Sequence, residues 1–265
     1  MANLSLPPKI LDNIVDFVRD CPEALRECCL VARSWVPRTR AYLFARVHFN
    51  SFQDLRSWES TFPDPFNSPA FYTHTLLFFC CSADMVEAVA RSHCIKTFSN
   101  VVQLELWILA SSHETQMFLP TFYGFAPGLK YLCIDSSCLP LLQVFTLVRS
   151  FPNIETLSLT SRGLLLGNDY DPQIGWVQPV EHSILPTSLG YLKLEIPEQV
   201  GVVIIRLLEI RNGIHLKRLF VRCASNNDLE WTEEFLLKSC NALESLSVEC
   251  LFPGMRFLPS PRTRN

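Results

Sequence analysis

A short pattern of apolar residue, two residues, apolar residue, one residue, apolar residue returns through the chain at nearly constant spacing. Its instances are Phe44-Val47-Phe49, Val101-Leu104-Leu106, Leu129-Leu132-Ile134, Ile154-Leu157-Leu159, Leu189-Leu192-Leu194, Leu216-Leu219-Val221 and Leu243-Leu246-Val248, with a weaker one at Thr73-Leu76-Phe78. Counted from Val47, the middle residues lie 29, 28, 28, 25, 35, 27 and 27 residues apart. Alternation with period two inside each instance is a strand signal, because successive side chains of a strand point to opposite faces. Recurrence at about 27 residues marks a stack of like units, none of which can bury its apolar face alone.

The spacers read as helices. Residues 85–98, 138–151, 200–210 and 231–240 are each ten or more long, too long for ordinary strands, with glycine absent or at an end and Pro140 in an opening turn. Strands alternating with helices predict a parallel sheet, whose connections need crossovers of about a dozen residues or more. The longest step holds 162–187, where Gly163, Gly167, Pro172, Gly175, Pro179 and Pro186 predict an irregular excursion. Period and strand pattern together resemble degenerate leucine-rich repeats, and the resemblance implies an α/β solenoid with a curved parallel sheet. That family commonly places Asn or Cys three residues after the last apolar position, to satisfy backbone groups at the turn. Here Leu109, Ser137, Arg162, Pro197, Ala224 and Leu251 stand there, so those groups need other partners.

Ahead of the repeats, Pro7 and Pro8 suit the opening turn of a helix, where a missing N–H costs nothing. Ile10, Leu11, Ile14, Val15 and Val18 share one face, with Asp12, Asn13, Asp16 and Arg19 on the other. Asp20-Cys21-Pro22 ends this helix and lets a second start, with Glu23 in its first turn and Leu25, Cys28, Cys29 and Ala32 as its apolar face. A third segment runs from Trp35 to Phe44. Three short helices make a thin core, so part of their apolar surface is left for a partner or for the rest of the chain. The landmarks Leu6-Pro7, Ile10-Leu11, Leu25, Leu30-Val31, Arg33, Trp35 and Leu43-Phe44, in this order, resemble the F-box. Lys9 departs from it, the family having an acidic residue there. The resemblance implies docking on the Skp-type adaptor of SCF ubiquitin ligases through Leu6, Pro7, Ile10, Leu11, Ile14, Leu25, Val31 and Trp35, some of which must instead hold the helices together.

Strand alternation puts Gln103, Glu105, Trp107, Tyr131, Cys133, Asp135, Thr156, Ser158, Tyr191, Lys193, Glu195, Arg218, Phe220 and Arg222 on the face away from the core, and all are expected to be exposed. Trp107, Tyr131, Tyr191, Arg218, Phe220 and Arg222 are of the types that anchor protein interfaces and form the candidate target-binding face.

Other classes find little support. Net charge is −3 with scattered basic residues, so nucleic acid is not an expected partner. The apolar runs 139–148 and 202–208 are too short to span a bilayer, and no secretory signal is expected at the start. Eleven cysteines, an odd number without a Cys-x-x-Cys pair, predict reduced thiols in a cytoplasmic or nuclear protein rather than disulfides or a metal site. No Gly-x-Ser-x-Gly elbow, phosphate-cradling loop or His-Glu-x-x-His is present, and the six histidines are dispersed. Neither cofactor nor catalysis is expected.

The expected organisation is an F-box-like module over 1–45, a repeat solenoid over 46–252 and a disordered tail over 253–265. The expected function is substrate recognition in an SCF-type ubiquitin ligase, the repeats capturing an unidentified protein target. The competing expectations are an F-box scaffold without a degradation role and an enzyme with an unrecognised site.

Overall fold

The repeated apolar triplets become the strands of one sheet. A computed structural model of the protein describes residues 7–109, 119–136, 141–160, 186, 188–196, 203, 216–223, 225–239 and 242–251. Strands β1 Arg46–Phe49, β2 Thr75–Cys80, β3 Gln103–Ile108, β4 Tyr131–Ser136, β5 Thr156–Thr160, β6 Tyr191–Glu195, β7 Arg218–Cys223 and β8 Ser245–Cys250 lie side by side in chain order, all parallel. Val47, Leu76, Leu104, Leu132, Leu157, Leu192, Leu219 and Leu246, the eight middle residues of the pattern, are register partners straight across the sheet.

Three helices precede the sheet, α1 Pro8–Phe17, α2 Pro22–Val31 and α3 Val36–Leu43, and four follow strands β1, β2, β4 and β7: α4 Phe52–Thr61, α5 Ala83–Arg91, α6 Leu141–Arg149 and α7 Asn226–Ser239. The protein is therefore α/β. The helix expected over 85–98 is split, because Ser92 takes an extended conformation and α5 gives way to a 3-10 turn over Cys94–Thr97. Between β3 and β4 the described crossover is also 3-10, over Leu119–Phe125. Val203 is helical and buried; the rest of 200–210, the excursion 162–187 apart from Pro186, and the tail 253–265 lie outside the described residues. Three of the crossover helices start on a serine cap. Ser51 and Ser225 form capping boxes with Asp54 and Asp228, and Ser82 accepts from the Met85 N–H at 3.3 Å.

At two of the turns that lack Asn or Cys the backbone pairs with the unit before, the Leu109 N–H donating to the Cys80 carbonyl and the Leu251 N–H to the Cys223 carbonyl, and the units are also tied together ahead of the strands. The carbonyls of Ala45, His74, Val102, Lys130, Glu155, Gly190 and Lys217 each accept two consecutive N–H groups of the next unit. A polar side chain serves the same place in several units: Asn100, Asn153 and Ser188 donate to the carbonyls of Phe71, Pro127 and Pro152 in the unit before. Thr73, the polar member of the weakest triplet, is fully buried and donates to the Phe44 carbonyl at 2.9 Å. Gly128 is needed by a close approach, since a Cβ there would lie 3.3 Å from the Val101 carbonyl oxygen.

The core runs the length of the sheet and is sealed at its first edge by aromatic side chains. Trp58 of α4 packs against Phe44, Phe49, Phe62 and Phe98, with ring centroids 4.9 to 5.9 Å apart. Phe44 is both the last landmark of the helical module and the first member of the first triplet, and only it and Ala45 separate α3 from β1. At the other edge Leu246 is 43% exposed, whereas its seven register partners are 7% exposed or less. Among the described residues no helix is long and apolar enough to cross a membrane.

Candidate functional site

Two surfaces gather the candidate residues. The first belongs to α1–α3. Val15 and Leu25, each 1% exposed, form the inside of this module, and Asp16 ties it together. The Arg38 guanidinium donates to both Asp16 oxygens at 2.7 and 2.6 Å, and the Tyr42 hydroxyl donates to Oδ1 at 2.7 Å. These hydrogen bonds, Arg38's foremost, hold the Asp16 carboxyl at about 2 against an ordinary 3.8. The Thr39 hydroxyl lies 2.8 Å from the Cys29 thiol and donates to the Trp35 carbonyl.

With polar clamps and only a few buried side chains inside, the module leaves its apolar residues outside. Ile10 is 45% exposed, Ile14 39%, Phe17 90%, Leu30 80% and Val31 68%. Ile10, Ile14 and Phe17 follow at i, i+4 and i+7, one stripe of α1. Of the residues implied by the F-box resemblance, Pro7, Ile10, Ile14 and Val31 lie on this outer surface, and Trp35 is half-buried with an indole N–H that has no partner among the described residues. Leu25 is corrected: it packs inside the module and offers no surface. Leu6 and the Leu11 side chain lie outside the described residues. Phe17 and Leu30, the most exposed of the set, were missed. A signal for Phe17 was available, since it extends the Ile10–Ile14 stripe by one turn.

The second surface is the sheet face opposite the core. Here Trp107, Tyr131, Tyr191, Arg218, Phe220 and Arg222 all stand on one side, as alternation predicts, but in two groups. Trp107, edge-on to Phe79 at 6.0 Å, and Tyr131 lie on β3 and β4; the others lie on β6 and β7. Between them β5 carries only Thr156, Ser158 and Thr160, leaving a low strip about 10 Å wide between β4 and β6.

Of the fourteen residues expected to be exposed here, only Tyr131 and Arg218 are; ten are half-buried and two lie deeper. Asp135 and Glu195 are buried, at 7% and 8%. Neighbouring cations cover Glu195: Lys193 Nζ lies 2.6 Å from Oε2 and Arg222 Nη1 2.7 Å from Oε1, while the Thr160 hydroxyl donates at 3.4 Å. Arg222 also donates to Glu249 through Nε and Nη2 at 3.0 and 2.8 Å, and this pairing raises its already high pKa. Two cations and a hydroxyl give the Glu195 carboxylate the partners that water would otherwise supply, which is why strand alternation alone misjudged its burial.

Burial pushes the Cys80 thiol up to about 12 and those of Cys94 and Cys223 to about 11, away from the reactive thiolate. Among the described residues no three His, Cys, Asp or Glu side chains converge on a metal-sized site. The chain matches no protein-family model, no curated protein and no solved structure. The two surfaces are joined through Phe44.

Proposed function

We propose that the chain is an F-box protein with degenerate leucine-rich repeats, a non-catalytic receptor that docks on the Skp-type adaptor of an SCF-type ubiquitin ligase and presents a protein target on its sheet face. One observation carries the reading: a small helical module in the F-box order of landmarks keeps Ile10, Ile14, Phe17, Leu30 and Val31 on its outside. Isolated apolar side chains at a surface are ordinary, but this many on three short helices mark an interface. The unit order of the sheet supports the repeat half of the proposal, since each repeat contacts its neighbours in sequence.

The test is capture of purified Skp-type adaptor by the intact chain, by an Ile10→Asp, Ile14→Asp double variant and by Phe17→Asp, with circular dichroism on each. The two isoleucines still have roughly 70 Å² apiece to bury, about 1.8 kcal/mol each at 25 cal/mol/Å². Burying a charge instead weakens docking by more than tenfold per site. Because these side chains already face water, the variants stay folded. A folded double variant that captures adaptor as well as the intact chain refutes the proposal.

A further inference from the structure

The starts of β6, β7 and β8 set Tyr191, Arg218 and Ser245 side by side as register partners in one row of the sheet face. The Arg218 guanidinium carbon lies 4.8 Å from the centroid of the Tyr191 ring. In the next row Lys193 Nζ and the Arg222 guanidinium lie 5.3 and 6.0 Å from the Phe220 centroid. The rings that the sequence offers as apolar anchors are thus overlain by cations of their own face, and a partner arriving at β6–β8 meets charge before it meets ring.

These cations are not equivalent. Lys193 is committed to Glu195, and Arg222 to Glu195 and Glu249. Arg218 is exposed, and among the described residues no carboxylate lies within ion-pairing distance of it. The hydroxyls of its two row neighbours, Tyr191 and Ser245, also make no hydrogen bond among the described residues. Stacking on Tyr191 restrains the guanidinium, so less freedom is lost when its planar donors take a carboxylate. The row thus holds three neighbouring donors without an acceptor among the described residues.

We infer that this row takes a single carboxylate from an extended, otherwise uncharged segment of a protein partner, with Arg218 as the charged contact and Tyr191 and Ser245 as flanking donors. The inference rests on the target-capture reading of the sheet face and names the chemistry of its partner. Charge decides against a polyanion: the next cations along this part of the face, Lys193 and Arg222, are already paired with Glu195 and Glu249, so a run of phosphates meets carboxylates beyond Arg218.

Fluorescence anisotropy on the full chain at low salt tests this, with a labelled peptide carrying one Glu between leucines, its Gln counterpart and its phosphoserine counterpart. The Glu peptide binds roughly tenfold more tightly than the Gln peptide, and the preference shrinks as salt is added. Arg218→Met keeps an unbranched, though shorter, side chain beside Tyr191 but removes the charge, and abolishes the preference. Equal binding of the Glu and Gln peptides, no binding of either, an unchanged preference in a folded Arg218→Met variant, or tighter binding of the phosphoserine peptide each overturns the inference. Adaptor capture is measured on the same samples. Capture without Glu preference sinks the carboxylate site and leaves the receptor reading standing, while Glu preference without capture does the reverse.

Discussion

Leu104 and Leu246 are the same residue at the same register position of the sheet, one in the middle and one at the last strand, and truncating each to Ala measures what the stack provides. Losing three carbons removes roughly 80 Å² of apolar surface, about 2 kcal/mol of transfer free energy. Leu104 is fully buried, flanked in register by Leu76 and Leu132, so the space it vacates stays closed. A cavity on the order of 80 Å³ at 24 cal/mol/Å³ adds about 2 kcal/mol, for a total near 4 kcal/mol. Leu246 is 43% exposed, so little more than half of the transfer term applies, and water fills the gap. Its loss amounts to about 1 kcal/mol. Urea unfolding followed by circular dichroism, extrapolated to water, reads both values. A Leu246→Ala variant as damaged as Leu104→Ala shows that the β8 edge is covered, and the reasoning about an open last strand fails. Equal small losses refute the register itself.

Other outcomes follow from single interactions. Asp16 has its pKa lowered in the folded protein, so its contribution to stability is complete above about pH 4 and is lost as the pH falls toward 2. Hydrogen exchange of α1–α3 shows this acid loosening in the natural chain, whereas Asp16→Asn is already loosened at neutral pH and changes little between pH 4 and 2 by the same cause. Thr73→Val keeps the shape but leaves the Phe44 carbonyl without its donor in a buried place, a loss of about 1–3 kcal/mol read from urea unfolding, and an unchanged midpoint dismisses the bond as a stabiliser. Cys81 is exposed and Cys80 buried with its thiol pushed up to about 12, so alkylation at pH 8 followed by peptide mapping labels Cys81 first; equal labelling contradicts the burial.

The sheet was the most legible part of the molecule because its cause is local and periodic: a strand buried on one face must place Leu, Val or Ile at every second position, and stacking copies that demand at each turn of the chain. Even the weak triplet at Thr73 kept its place in the register. The helix boundaries were less legible, since Ser92 breaks an apolar pattern that by itself continues to Phe98. Serine caps at Ser51, Ser82 and Ser225 had a readable signature, Ser followed three residues on by Asp in two of the three. The Asp16 clamp had none, because Arg38 and Tyr42 lie 22 and 26 residues away. At the candidate sites, residue type and strand alternation located the face, but they could not assign commitments. Whether Glu195 is buried, or whether Arg218 rather than Arg222 retains free donors, depends on which neighbours pair across strands, and only the register reveals that.

The junction at Phe44 and Ala45 leaves no slack between the helices and the sheet. Its chain is bonded on both sides: the Phe44 carbonyl takes the Thr73 hydroxyl, the Ala45 carbonyl takes the N–H groups of His74 and Thr75, and the Phe44 ring is held by Trp58 and Phe62. A flexible tether would let a bound target sample many positions relative to the adaptor, with an effective concentration diluted over that volume. Under the receptor reading proposed above, a joint of two pinned residues would instead deliver the target at one distance and one angle. Under the receptor reading, reach then acts as a second filter after affinity: a protein held on the sheet is modified only where its own lysines fall within the arc that this geometry fixes.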